Sequence, residues 1–292
     1  MNAEIYYDNV FELSPQYPLA VLEFLKAELQ LGKKYVVMDV HTHNGQLSKL
    51  LQKHVHLVCS LSSDPEYHNY LNHKLKNVSN FLSLNAIPEL TNIEEDSIDC
   101  LCIDETFSRF DSLRMGVEFE RILRLNSYVL ILQNQLYEKE GSFTEAYLQF
   151  LKMHYTNEGG ISKIPKEEAL NAFYKHGFAL KIFGNQQRLN WTMLEQYYLT
   201  SLEKNNQVPK ANTLVELQQL FEKFEQDDQV TLEYQTHLYY GLFNYSVPEI
   251  SLRKSIFFNL LRPFAFGFYV LVKANIYFWK ALYKFRNKRA PK

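Results

Sequence analysis

The chain has 292 residues, 46% of them hydrophobic and 22% charged, enough to bury one substantial core and a small second lobe. Its three cysteines, Cys59, Cys100 and Cys102, each fall inside an apparent strand, a pattern that fits reduced thiols in a cytosolic setting and excludes a disulfide framework. The net charge of −2 is split: residues 250–292 hold ten Lys/Arg and no Asp/Glu, leaving 21 basic and 33 acidic side chains ahead of them, a net of −12.

The opening MNAEIYYDNV has neither a basic nor a long apolar segment, so no secretory signal is expected. Residues 1–33 read as a lead-in broken at Pro15 and Pro18, then a helix with the stripe Leu19, Leu22, Leu25 and Leu29. From Lys34 to Ser63 the pattern is strand, tight loop, helix, strand. Tyr35–Val40 is an apolar run suited to a strand covered on both faces, and Leu47, Leu50 and Leu51 mark one helix face. A helix over about 65–75, a short strand near 78–84 and a strand over 98–103 are predicted next. Asp111 or Ser112 can cap a following helix with the face Met115, Phe119, Ile122 and Leu123, and Tyr128–Leu132 is another buried strand. This alternation predicts an α/β fold with a doubly wound, mostly parallel sheet of Rossmann-like type. Gly141–Gly177 reads as helical with a break at Gly159-Gly160, Ala179–Phe183 as a strand, Leu189–Phe224 as helical, and Gln229–Phe243 as one or two further strands.

The strand-to-helix loop His41-Thr42-His43-Asn44-Gly45 is where such a fold holds a nucleotide-like ligand, because free backbone N–H groups point out of the helix start. It carries one glycine, where such loops use several to bring the backbone against the ligand.

The order of motifs resembles the class I S-adenosylmethionine-dependent methyltransferases, of the small-molecule kind labelled methyltransferase type 11. The likeness rests on Ser14-Pro15-Gln16-Tyr17-Pro18, Val36–Asp39 with its turn, Asn85-Ala86, Asp96-Ser97-Ile98-Asp99, Thr106–Asp111, Glu118 with Arg121–Leu123, Trp191–Gln207 and Val230–Thr236. It implies a methyltransferase domain over residues 1–246 with a helical cap near 140–228. It implies S-adenosylmethionine as cofactor, held by Asp39, His41, His43, Gly45, Ser60, Ser62, Asn85, Ala86 and Asp104. It also implies an acceptor pocket with Tyr17, Phe107, Phe110 and Trp191. His41 and His43 stand where the family has glycine, and Ser60-Leu61-Ser62 where it often has Asp-Leu-Ser. A catalytically inactive binding or scaffold protein is therefore the alternative to a methyltransferase.

Read from the residues themselves, each feature has two meanings. Asp39 can bond the cofactor loop or steady the next helix, and Asn85 can meet an adenine or close a turn. Phe107 and Phe110 can wall a pocket or fill the core. His237 and His176 can serve as a base or as structural histidines. Cys100 and Cys102 share a strand face, where packing is expected. Asp39-Val40-His41-Thr42-His43 is also similar to the D-x-H-x-H strand end of metal-dependent hydrolases, but no later histidine stands at a strand end beside an acid, so a metal hydrolase is the third reading and no metal is expected.

Residues 247–292 lie outside the resemblance. Their longest charge-free run, Pro263–Val272, is ten residues, below the roughly 17 that a spanning helix needs. On a helix, Lys280 and Lys284 fall within about 20° of Lys273, leaving a wide apolar and aromatic face. The expected partner of 253–292 is an anionic membrane surface, approached as an interfacial amphipathic helix. This puts the protein in the cytoplasm, peripheral on the inner membrane face, with a small or lipid-borne acceptor and no nucleic acid.

Overall fold

In the computed structural model, the described residues are 3–40, 45–104, 107, 112–154, 165–174, 176–204 and 207–243. The tail and its boundary at 246/247 lie outside them. So do His41, His43 and Phe110.

Seven strands form one sheet: β1 (Val36–Val40), β2 (Leu57–Ser62), β3 (Phe81–Asn85), β4 (Ile98–Ile103), β5 (Leu123–Leu136), β6 (Ala179–Leu189) and β7 (Val230–Leu242). Their order is β3-β2-β1-β4-β5-β7-β6, parallel from β3 to β5, with β7 antiparallel to both its neighbours. The helices are α1 (Ala3–Leu13), α2 (Leu19–Glu28), α3 (Gln46–Leu51), α4 (Pro65–Lys74), α5 (Ser112–Ile122), α6 (Phe143–His154), α7 (Glu167–Phe173), α8 (Trp191–Lys204) and α9 (Thr213–Phe224).

The alternation of side chains along a strand divides the core into two layers. Val37, Cys100, Cys102, Leu130, Leu132 and Leu238 face α2 and α3 with Val21, Leu22, Leu25, Leu47 and Leu51. Met38, Val40, Leu101, Ile103, Val129, Ile131 and Tyr239 face α5 and α7 with Met115, Phe119, Leu170 and Phe173. All three cysteines are buried and free. Each buried aliphatic side chain here contributes about 1.5–3 kcal/mol relative to exposure, so truncating Leu130, 0% exposed, to alanine costs about 2–5 kcal/mol.

A third cluster gathers α6, α8 and α9 around Leu189, Val230, Leu232 and Tyr234, at the end of the antiparallel β6–β7 pair where Leu189 lies opposite Val230. The span 140–228 is therefore interleaved: β6 runs through it as the sheet's edge, and α7 packs on the main core. β5 also continues past the predicted end at Leu132, because Gln133, Asn134 and Gln135 pair with His237, Thr236 and Gln235 of β7. A register of amides satisfies the ladder as well as apolar residues do, and only the apolar part shows as a hydrophobic run. The helix α1 is a second departure from the predicted lead-in. It buries Val10, Phe11 and Leu13 and is tied to α4 by Tyr70 and Lys74, which both donate to Asp8.

The strand order reverses between β1 and β4, where Val40 lies opposite Ile103. In an open parallel sheet this switch point leaves a crevice at the carboxyl ends of the strands.

Candidate functional site

Asp39 stands at this crevice, one residue before the end of β1, with no solvent exposure. Its Oδ2 accepts from the Ser48 hydroxyl at 2.5 Å, and the Ser48 backbone N–H in α3 also donates to the carboxylate. Its Oδ1 is buried with no partner among the described residues. Burial pushes its pKa up to about 7; the Ser48 bonds oppose the rise and the charge of Asp104 adds to it. Asp104 is itself buried, one residue past β4. Two buried acids thus flank the switch point, and one has an oxygen without a partner among the described residues.

Gly45 opens α3 at φ +60°, a left-handed position that glycine adopts without steric cost. A Cβ there would lie 2.7 Å from the Phe11 ring of α1. The Gln46 side-chain amide donates to the Phe11 carbonyl at 2.5 Å, fixing α1 across the start of α3. The one glycine kept in the loop is therefore required by packing as well as by its dihedral.

Ser60 is buried inside β2, in register with Asp39, and Ser62 is the last residue of that strand, opposite Asn85 at the end of β3. Asp64 is the N-cap of α4: it accepts from the N–H groups of Glu66 and Tyr67, Pro65 follows it, and Tyr7 donates to its other oxygen at 2.7 Å. Asp64-Pro65-Glu66 is a helix-start signal that could have been read from the sequence. It makes Ser62 the residue at the strand end, two positions beyond Ser60. The Ala86 N–H donates to the Ser62 carbonyl at 3.1 Å, so Asp104, Asp39, Ser62, Asn85 and Ala86 form a row along the carboxyl ends of β4, β1, β2 and β3.

Of the residues expected around an acceptor, the three that are described, Tyr17, Phe107 and Trp191, pack in three different clusters. Tyr17 packs against the α2–α3 layer and its hydroxyl meets the Leu132 carbonyl at 3.4 Å. Phe107 is buried in the opposite layer, edge-on to Phe173 at 4.9 Å, and Trp191 stands edge-on to Phe221 in the third cluster. His237 takes a place nearer the crevice. It lies on β7 opposite Gln133, two residues along β5 from Ile131, which pairs with Ile103 at the end of β4. His237 is 7% exposed, its Nδ1 has no partner among the described residues, and burial lowers its pKa, so the imidazole is neutral near pH 7. His176, by contrast, is exposed. Ser48, Phe11 and Gln133 were not legible as site residues. Ser48 lies nine residues from its partner and follows from the strand–loop–helix spacing, whereas nothing in the sequence signals the Phe11 contact. Among the described residues, no three His, Cys, Asp or Glu side chains gather as metal ligands.

No family model matches the sequence, and no curated protein matches it. Among solved structures, a protein from Anaeromyxobacter dehalogenans assigned as a type II methyltransferase aligns with a TM-score of 0.54 at 13% identity, over 80% of this chain and 99% of its own. A Galdieria sulphuraria protein assigned as a sarcosine dimethylglycine methyltransferase aligns less closely, with a TM-score of 0.47 at 15% identity, over 84% and 100% of the two chains. The YcgJ protein of Bacillus subtilis gives 0.48 at 12% identity, over 76% and 96%. The chain has the class I methyltransferase fold, as the resemblance implied. Among the described residues, no helix is long and apolar enough to cross a membrane.

Proposed function

We propose that the chain is an S-adenosylmethionine-dependent methyltransferase acting on a small or lipid-borne acceptor at an anionic membrane surface. The observation that carries this reading is the buried Oδ1 of Asp39 at the switch point, unpartnered among the described residues. Leaving a buried carboxylate oxygen unpaired costs free energy, and a ligand with a cationic or N–H donor group offsets that cost on binding. The residues fit the cofactor: Asp39 and Gly45 would hold its amino-acid end, and Ser62, Asn85 and Ala86 its nucleoside. S-adenosylmethionine supplies a methyl group activated on a sulfonium.

The protein's own part is alignment in a desolvated crevice. His237 adds a proton acceptor at Nδ1 for acceptors whose reacting oxygen or nitrogen carries a hydrogen. The basic tail, 253–292, would hold the domain at the membrane. A second reading, an inactive methyltransferase-fold binding protein, is favoured by one observation: Ser62, without a carboxylate, ends β2, where a ribose would be bound. A serine hydroxyl bonds a ribose more weakly than a carboxylate does.

Calorimetric titration of S-adenosylmethionine and S-adenosylhomocysteine into the full chain decides between them. Saturable micromolar binding is expected, and absence of binding at millimolar cofactor overturns the enzyme reading. For the tail, replacing Lys273, Lys280 and Lys284 by glutamate is expected to release the protein from anionic vesicles. Retained binding would remove the membrane assignment.

A further inference from the structure

At the opposite, amino-terminal edge of the sheet lies a groove of about 670 Å³, large enough for a small organic ligand. Lys33, Gln52, Lys53, His56, Asn77 and Asn80 line it, with the Ser79 hydroxyl beside them. These positions precede β1, β2 and β3, whereas ligands of the methyl-transfer crevice bind beyond the carboxyl ends of the same strands. The groove is therefore separate from that crevice.

Its chemistry is selective. No described lining residue is acidic, although residues 1–249 carry a net charge of −12. The positive field is felt nearby: His54 has its proton affinity lowered by burial and then by Lys26, Lys33 and Lys53. No described lining residue is Phe, Tyr or Trp either, so the His56 imidazole is the one ring a described lining residue offers. The walls are locked to one another. The Asn80 amide donates to the carbonyls of Gln52 and Val55, Lys33 donates to the Lys53 carbonyl at 2.6 Å, and the His56 N–H donates to the Tyr35 carbonyl. One acceptor is left over: Gln52 Oε1 is buried without a partner among the described residues.

We propose that this groove binds a phosphate group borne by a hydroxylated molecule, such as a phosphorylated polyol. Lys33, Lys53 and His56 take the phosphate, and the half-buried Gln52 side chain turns its Oε1 to a ligand hydroxyl. The source is a soluble metabolite or a lipid headgroup.

The test follows the backbone amide resonances of Asn77 and Asn80 in the full chain, titrated at constant ionic strength with inorganic phosphate and with glycerol 3-phosphate. Saturable shifts are expected, at least threefold tighter for glycerol 3-phosphate, and weakened at least tenfold in the K33Q/K53Q variant. Shifts no different from those caused by sodium chloride, or parent-like affinity in K33Q/K53Q, overturn the site; equal affinity for the two probes overturns the hydroxyl contact. Vesicles of phosphatidylcholine with phosphatidate separate the sources. Weaker vesicle binding by K33Q/K53Q than by the parent chain assigns a lipid headgroup, and equal binding assigns a soluble ligand.

Discussion

Two strand-to-helix turns lie side by side in this fold and use their aspartates in opposite ways. In the β2–α4 turn, Asp64 caps the helix through Glu66 and Tyr67, Pro65 presets the first turn, and Tyr7 takes the remaining oxygen. Both carboxylate oxygens of that aspartate are occupied, one by the turn and one by α1. In the β1–α3 turn, the N-cap is Gly45 with no side-chain cap, α3 is only six residues long, and Asp39 is buried with one oxygen unpartnered among the described residues. A turn that satisfies its own groups is structural; one that leaves a buried group open has capacity for a ligand.

The largest expected difference between the two turns is in stability against pH. The folded pKa of Asp39 is raised to about 7 from the 3.8 of an exposed aspartate. The folded state therefore binds this proton more tightly than the unfolded chain. Its contribution is fully present below pH ~4 and is lost as pH rises through about 7. At one pKa unit per 1.36 kcal/mol the loss is of order 4 kcal/mol. Asp39→Asn keeps an acceptor for Ser48 and carries no charge, so it should stabilise the protein by up to ~4 kcal/mol at pH 8 and by little at pH 4.5, read from denaturant unfolding. Equal stability at pH 8 would contradict the buried-acid account.

Gly45→Ala should cost about 2 kcal/mol, from the left-handed dihedral and the contact with the Phe11 ring. A Phe11→Ala/Gly45→Ala cycle should show coupling, whereas additive effects would leave only the dihedral. Asp64→Ala should cost about 1 kcal/mol through the lost cap, opposite in sign to Asp39→Asn. Stabilisation by Asp64→Ala would erase the contrast between the turns.

The smallest effect is spectroscopic. The His237 imidazole should still be mostly neutral at pH 6.5, where an unperturbed histidine is half protonated. Its Cε1 proton shift in the full chain reports this, and a midpoint at or above 6.5 would contradict the effect of burial on this ring.

What the sequence made legible divides along the same physical line. β4, Ile98–Ile103, could be bounded to the residue because a buried apolar run is closed on both sides by polar residues, Asp96-Ser97 and Asp104. The fold class followed from the same strand–helix alternation. The second half of β5 was hidden because its pairing residues are amides, and α1 because two prolines dominate the stretch after it. At the site, Asp39 and Gly45 were marked by their place between an apolar strand and a helix. The Gly45–Phe11 contact joins residues 34 positions apart, and no local pattern encodes it. His237 could be named from the sequence but not distinguished from His176. Only strand pairing sets it opposite Gln133 near the crevice.

On the proposed reading, the Asp39 oxygen left unpartnered among the described residues receives a cationic methyl donor. This is tested most directly by calorimetric titration of S-adenosylmethionine at pH 8 into the parent chain and into Asp39→Asn. Saturable binding to the parent is expected, with at least tenfold weaker binding to the more stable variant. Equal affinities, or no binding to either, would contradict it.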